Sequence, residues 1–151
     1  MTSKYEDFTE LIMTSYRAIQ KIKSSGMKKI HLKAGDVNCI YYLSKYPEGL
    51  TNNGLADLAG IDKAAVSRSL NALIDTPYVT LSAEDDQKKY GKRYILTDRG
   101  KAVADGVNKT VDAVVEEVAK RISSEESTTF YKTFHSISEA LVNLSEEQGE
   151  Q

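Results

Sequence analysis

The sequence predicts a mainly α-helical protein of the α+β class, and two observations support this. Apolar residues recur at helical spacing through six segments of the 151-residue chain. Between the fourth and fifth segments the spacing changes to two over the short runs YVTL and RYIL, which is typical of paired β-strands. We therefore expect four helices, one β-hairpin and two further helices, in that order.

The first helix is predicted from Tyr5 to about Ile22, where apolar residues follow one face. The segment KSSGMKKIHLKAG then breaks the helical period and contains no acidic residue. A second helix is predicted from about Gly35 to Lys45, with Pro47 and Gly49 ending it. Its expected buried residues are Val37, Ile40 and Leu43.

The third and fourth helices are joined by a very short turn. Thr51 is a suitable N-cap for the third helix, NNGLADLA, and Gly60 supplies the positive φ that follows it. Asp62 caps a fourth helix from Lys63 to about Asp75, which Pro77 cannot continue. The residues expected to be buried on this fourth helix are Val66, Leu70, Leu73 and Ile74.

The hairpin pairs a strand over residues 78–81 with one over 93–96, and the polar segment SAEDDQKKYGK forms its tip. A long helix with a valine stripe begins at Asp98, and SSEE provides the cap of a terminal helix. Beyond Leu144 the chain is acidic, and we expect that helix to fray there. The valines of the stripe are Val103, Val107, Val111, Val114, Val115 and Val118.

Two helices joined by a tight glycine turn and followed by a hairpin make a winged helix-turn-helix, whose second helix enters the DNA major groove. The polar side of the fourth helix has suitable residues, because arginine can bind guanine and asparagine can bind adenine through paired hydrogen bonds. The predicted DNA-binding residues of this helix are Lys63, Ala64, Ser67, Arg68 and Asn71. The alternative is that this is an ordinary solvated helix face.

Composition and charge limit the class of protein. The net charge of −2 conceals an uneven distribution, with +1 over residues 1–62, +3 over 63–101 and −6 over 102–151. No apolar run approaches the ~20 residues that span a bilayer, and the N-terminus lacks the pattern of a signal peptide. A single cysteine, Cys39, fits a reducing compartment. We therefore expect a cytoplasmic protein with no membrane partner.

The stretches LADLAGIDKAAVSRSLNAL and LTDRGK resemble the MarR family of bacterial transcriptional regulators. The resemblance covers essentially the whole chain. It implies one domain over residues 1–151, with a DNA-binding winged region over 34–101 and dimerisation helices over 1–24 and 102–146. It also implies a homodimer that binds a near-palindromic operator, most often as a repressor released by a small ligand. The alternative for the long helices is that they cover only their own domain.

The sequence departs from the family pattern at two places. Pro77 stands where members usually have a glycine, so the local turn should differ. The hairpin tip also lacks the usual Asp-x-Arg, whose arginine reaches the minor groove. We expect Lys88, Lys89 and Lys92 to bind DNA instead, and a solvated loop tip is the alternative.

Family members often bind small phenolic or aromatic acids, and Tyr16, Tyr41 and Tyr42 are the candidates for such a site, with core or interface packing as the favoured alternative for any single tyrosine. Cys39 is expected to be a buried structural thiol. No cofactor and no metal site are predicted, because His31 and His135 lie far apart and no other ligands cluster with them. The sequence has no catalytic constellation, so an enzyme is not expected.

A second functional class stays open from the sequence alone. Winged helices can use the same surface to bind proteins, and the near-neutral charge and the missing wing arginine fit a protein-interaction module without DNA binding.

Overall fold

The structure, a computed structural model, describes residues 3–83 and 91–149. The described chain contains six α-helices and a two-stranded antiparallel sheet, which confirms the predicted fold class and element order. The helices are α1 (Lys4–Ser24), α2 (Ala34–Lys45), α3 (Asn52–Ala59), α4 (Lys63–Ile74), α5 (Asp98–Ala119) and α6 (Ser124–Gly149). The strands are β1 (Val79–Leu81) and β2 (Tyr94–Leu96).

The chain divides into two compact units, Met1–Asp112 and Ala113–Gln151. The core of the first unit is built around α2, whose Val37, Ile40 and Leu43 are buried as predicted. Leu55 of α3 and Val107 of α5 complete this core together with residues of α4 and both strands. Both α3 and α4 therefore pack against α2.

Helix starts follow the predicted capping signals. The Thr51 hydroxyl accepts a hydrogen bond from the backbone N–H of Gly54 at 3.0 Å. Ser123 and Glu126 form a reciprocal capping box at the start of α6, and these hydrogen bonds lower the pKa of Glu126. Each bond satisfies an amide that a helix start leaves without an intrahelical partner.

The sheet is slightly shorter and also wider than predicted. Thr80 pairs with Ile95 at its centre, and each strand is one residue shorter than expected. Leu50, just before α3, exchanges two backbone hydrogen bonds with Tyr94 and so extends the sheet beyond β2. This bridge connects the segment before α3 to the hairpin. It could not be predicted from the sequence, because a single bridging residue shows no alternating pattern.

A short 3₁₀ helix, Met27–Ile30, occupies the basic segment between α1 and α2. His31 follows it in a left-handed conformation with φ of 59°. This turn was not predicted, because four residues are too few to show a helical period.

The second unit contains the end of α5 and all of α6. Of the residues that the structure describes in α6, none is buried, although its apolar side chains recur at helical spacing. Helix α6 continues to Gly149, so it includes the acidic residues beyond Leu144 where fraying is predicted from the sequence. Within the described ranges no helix combines the length and apolar character needed to cross a membrane.

Candidate DNA-binding surface

The turn between α3 and α4 has the predicted geometry. Gly60 ends α3 with φ of 63°, a left-handed conformation that glycine adopts without steric cost. The Ile61 backbone N–H donates to the Ala56 carbonyl oxygen at 3.1 Å, and the Asp62 carboxylate accepts from the Ala65 N–H at 3.2 Å. These bonds fix both the direction and the starting residue of α4.

The buried side of α4 consists of Val66, Leu70 and Leu73, as predicted. Ile74 was expected to join them, but it is 36% exposed. At about 100° per residue, Ile74 points roughly 80° away from the direction of Val66. The prediction for Ile74 is therefore wrong, and three apolar residues form the seat of the helix.

The predicted polar residues of α4 lie together on the other side of the helix. Lys63, Ala64, Arg68 and Asn71 are exposed, and Ser67 is half-buried. All five fall within about 140° of the helix circumference. The structure thus brings these five residues onto one accessible surface, which we call the α4 surface.

Helix α2 supports α4 from behind at very close range. A β-carbon added to Gly35 would lie 2.8 Å from the Ser69 hydroxyl oxygen, which shows how near the two helices approach. One turn further along α2, the Cys39 thiol is hydrogen-bonded to the same serine. Burial, with a smaller contribution from the Asp36 charge, raises the pKa of Cys39 to about 12. Cys39 is therefore a buried, protonated thiol in a helix contact.

The junction between β2 and α5 holds the hairpin against the end of α4. The Thr97 backbone N–H donates to the Tyr78 carbonyl oxygen at 3.0 Å. The Thr97 hydroxyl donates to the Pro77 carbonyl oxygen and accepts from the Gly100 N–H, so it also caps α5. Pro77 has a negative φ, as its ring requires, and its carbonyl contributes to this junction.

The base of the hairpin is described and its tip is not. Lys92 is exposed, whereas Lys88 and Lys89 lie outside the described residues. The Arg93 guanidinium donates to the Gly49 carbonyl oxygen at 3.0 Å, which secures the hairpin to the segment before α3. Arg93 was expected as the first residue of the second strand, and this contact was not predicted.

The three candidate ligand-site tyrosines lie in one neighbourhood of the first unit. The rings of Tyr41 and Tyr42 contact each other edge to face at 5.3 Å between centroids. Burial raises the pKa of Tyr42, and the neighbouring Tyr41, Tyr16 and Tyr46 raise it further. Two of these rings, Tyr41 and Tyr42, face the ammonium group of Lys23, a residue that was not predicted from the sequence.

Lys23 is only 8% exposed. Its ammonium group lies 3.9 Å from the centroid of the Tyr41 ring and donates to the Asn38 side-chain oxygen at 3.3 Å. Burial lowers the pKa of Lys23, and the Lys45 charge lowers it further. Spacing could have revealed this position, because Ile12, Tyr16, Ile19 and Lys23 form a 4-3-4 series along one face of α1.

In the part of the chain that the structure describes, no three His, Cys, Asp or Glu side chains are grouped as metal ligands.

Comparison with known proteins places this fold. No protein-family model matches the sequence, and no curated protein matches it. Among solved structures, a MarR protein from Peptoclostridium difficile has a TM-score of 0.79 at 21% identity, covering 95% of this chain and 94% of that one. A MarR transcriptional regulator from Methanosarcina mazei has a TM-score of 0.76 at 19% identity, with coverage of 95% and 94%.

A third solved structure is a Staphylococcus aureus MarR protein in complex with salicylate and kanamycin. Its TM-score is 0.74 at 20% identity, and the match covers 92% of this chain and 93% of that one. Identities this low compare folds rather than functions. The resemblance seen in the sequence is thus confirmed at the level of fold: this chain has the winged-helix fold of MarR-family transcriptional regulators.

Proposed function

We propose that this protein is a sequence-specific, double-stranded-DNA-binding transcriptional regulator of the MarR type. The observation that carries the proposal is the α4 surface. Its five residues are accessible on one side of a helix whose opposite side is held by Val66, Leu70 and Leu73. A rigidly seated helix with a small, polar outer face suits insertion into the major groove.

Arg68 and Asn71 are the residues to which we assign base recognition. They are one turn apart on α4 and both are exposed. Arginine can donate two hydrogen bonds to guanine O6 and N7, and asparagine can make a paired contact with adenine. Lys63 and Ser67 are suited to phosphate contacts, which set orientation without reading sequence. Lys92 is exposed at the base of the hairpin and is suited to a further phosphate contact, and from the sequence we assign the same role to Lys88 and Lys89.

A homodimer is the second part of the proposal, with residues 1–24 and 102–146 as its dimerisation helices. Along α6 the side chains of Phe130, Leu141 and Leu144 are each at least half exposed. Val115 and Val118 of α5 are 59% and 53% exposed, so the valine stripe also continues without cover. Apolar stripes of this length on a soluble monomer are unusual, and a second copy related by a two-fold axis would bury them.

A small anionic aromatic effector is the third part, and we place its site beside Lys23, Tyr16, Tyr41 and Tyr42. An ammonium group that is buried among rings without an acidic partner among the described residues has an unmet attraction for an anion. Salicylate, present in the Staphylococcus aureus structure, is a probe of the right chemistry. Release from DNA by such a ligand would make the protein a ligand-responsive repressor, acting in the cytoplasm.

The experiment that tests base recognition compares Arg68→Ala with Arg121→Ala, a loss of the same charge outside the winged region. Arg68→Ala should lose about 1–3 kcal/mol of binding free energy on a selected duplex and should relax the preference at one base pair. Arg121→Ala should leave that preference unchanged. If Arg68→Ala binds the selected duplex as tightly as wild type, Arg68 does not read a base.

The competing function is a winged-helix protein-interaction module. The net charge of −2 favours it, since many DNA-binding domains are basic. Retention on heparin and on nonspecific duplex at low salt separates the two functions. A DNA-binding protein is retained under these conditions, whereas complete absence of retention would favour the interaction module.

A further inference from the structure

We propose that residues 27–33 bind the sugar–phosphate backbone of DNA beside the groove that α4 enters, an inference that rests on the proposed function. We call these residues the flanking segment. Lys28, Lys29 and Lys33 supply its charge, and all three are exposed. They lie outside the winged region predicted from the sequence, and neither the α4 surface nor the hairpin includes them.

The flanking segment lies directly alongside α4. A cleft of about 490 Å³ separates the two, and Arg68 lines this cleft from the α4 side. The cleft residues from the flanking segment are Ile30, His31, Leu32 and Lys33. The residues facing them from α4 include Ala65, Arg68, Ser69 and Ala72. A side chain assigned to base recognition and a lysine of the flanking segment therefore border the same cleft.

The backbone of the flanking segment is held in place. Leu32 is buried in the core of the first unit. The His31 N–H donates to the Lys28 carbonyl oxygen at 3.1 Å, and the Leu32 N–H donates to the Met27 carbonyl oxygen at 3.4 Å. Because Leu32 and these hydrogen bonds anchor the turn, the backbone positions of its lysines are fixed, and their side chains extend into solvent.

The flanking segment carries no acidic residue of its own, and the nearest carboxylate in the sequence, Asp36, also lines the cleft. No acidic residue occurs between Leu11 and Gly35 in the sequence. The next acid, Asp36, is 7% exposed, and its carboxylate accepts the Lys33 backbone N–H at 3.0 Å. The two ion pairs found in the described ranges, Lys101–Asp98 and Lys120–Glu117, involve none of the three lysines.

The dimensions of DNA indicate that the flanking segment would meet the sugar–phosphate backbone when α4 lies in the major groove. An α-helix with its side chains is about 10–12 Å wide, and the major groove is about 12 Å wide. A helix in the groove therefore fills it, and whatever packs beside that helix meets the adjacent strand. Lysine is a flexible point charge that binds phosphate without reading sequence. Three phosphate contacts would contribute about 2.7 to the slope of log K against log salt, at about 0.9 per contact.

The test is a triple variant, Lys28→Gln with Lys29→Gln and Lys33→Gln, in the full chain. The matched control replaces three exposed lysines elsewhere, Lys4, Lys109 and Lys132, by glutamine. Binding to a random-sequence duplex and to a duplex selected by the wild-type protein is measured by fluorescence anisotropy between 50 and 200 mM NaCl. Circular dichroism melts check that both variants are folded. Because the control lysines lie in the proposed dimerisation helices, size-exclusion chromatography also checks that both variants have the same oligomeric state as wild type.

For the flanking-segment variant we expect the salt slope to fall by about 2.7 on both duplexes, with the ratio of the two affinities unchanged. Over that salt range wild type should lose about 40-fold more affinity than this variant. The control should keep most of the wild-type slope. Equal slopes for the two triple variants would overturn this inference alone, as would a changed ratio, which would mean base contacts. Failure of wild type to bind either duplex would instead overturn the proposed function itself.

Discussion

Gly100 occupies the tightest backbone contact in the junction between the hairpin and α5, and its replacement by alanine is a sharp test of that junction. A β-carbon at this position would lie 2.0 Å from the Tyr78 carbonyl oxygen and 2.9 Å from its carbonyl carbon. The same carbonyl oxygen accepts the Thr97 N–H at 3.0 Å. Relief of the clash must therefore move backbone that is already hydrogen-bonded.

The size of the effect follows from three contributions. Overpacking typically costs about 1–3 kcal/mol, and a weakened hydrogen bond adds about 0.5–1.5 kcal/mol. Alanine regains up to about 1 kcal/mol through its higher helix propensity. We expect Gly100→Ala to lower the free energy of unfolding by about 2 kcal/mol. At Gly106, in the same helix, an added β-carbon would meet nothing within 4 Å apart from its chain neighbours and the backbone of its own helix, so Gly106→Ala should raise stability by about 0.5–1 kcal/mol.

Urea denaturation of both variants at one protein concentration measures their free energies of unfolding. Relative to wild type the two variants should change in opposite directions, and they should differ from each other by close to 3 kcal/mol. Fixed concentration is needed because dimerisation would contribute to stability. A Gly100→Ala protein as stable as the Gly106→Ala protein would show that the hairpin is not locked to α5 in this way.

Three further predictions concern the remaining contacts. Lys23→Met should abolish salicylate binding in calorimetry, and its free energy of unfolding should equal or exceed that of wild type, because methionine avoids the desolvation that lowers the lysine pKa. The control Lys21→Met replaces an exposed lysine and should bind salicylate as wild type does. Retained salicylate binding by Lys23→Met would refute the site. Burial raises the pKa of Cys39 from 9.0 to about 12, so at pH 8 its thiolate fraction should be about 10³-fold smaller in the native than in the unfolded protein. Its reaction with a thiol reagent should be slower by the same factor in the native protein. Rapid labelling of the native protein would contradict its buried position. Asp62→Ala should lower the free energy of unfolding by about 1 kcal/mol in denaturant melts, because the Ala65 amide loses its cap. The control Asp57→Ala, at an exposed position of α3, should change it little.

Local signals were sufficient to predict the helix-turn-helix. Thr51, Gly60 and Asp62 each act within a few residues of themselves, so their roles can be inferred without tertiary structure. The outward side of α4 follows in turn from the spacing of Val66, Leu70 and Leu73. The candidate base-reading residues could be predicted from the sequence for the same reason.

Long-range contacts could not be predicted in this way. The bridge from Leu50 to Tyr94 and the bond from Arg93 to the Gly49 carbonyl each join residues 44 positions apart. Lys23 is buried because α1 packs against α2, although a lysine in isolation predicts exposure. The flanking segment was recognised as basic from the sequence, but its place beside α4 depends on how the chain folds back on itself.

If two copies of α4 contact DNA together, the DNA that they bind must carry two related half-sites, and selection of bound sequences from a random duplex pool by the full chain measures this. We expect an enriched, near-palindromic site with half-sites about 34–36 Å apart, one turn of B-DNA. Arg68→Ala should lose enrichment at one symmetric pair of positions within that site. Recovery of no enriched sequence, or of a single half-site without a symmetric partner, would contradict joint binding by two copies of α4.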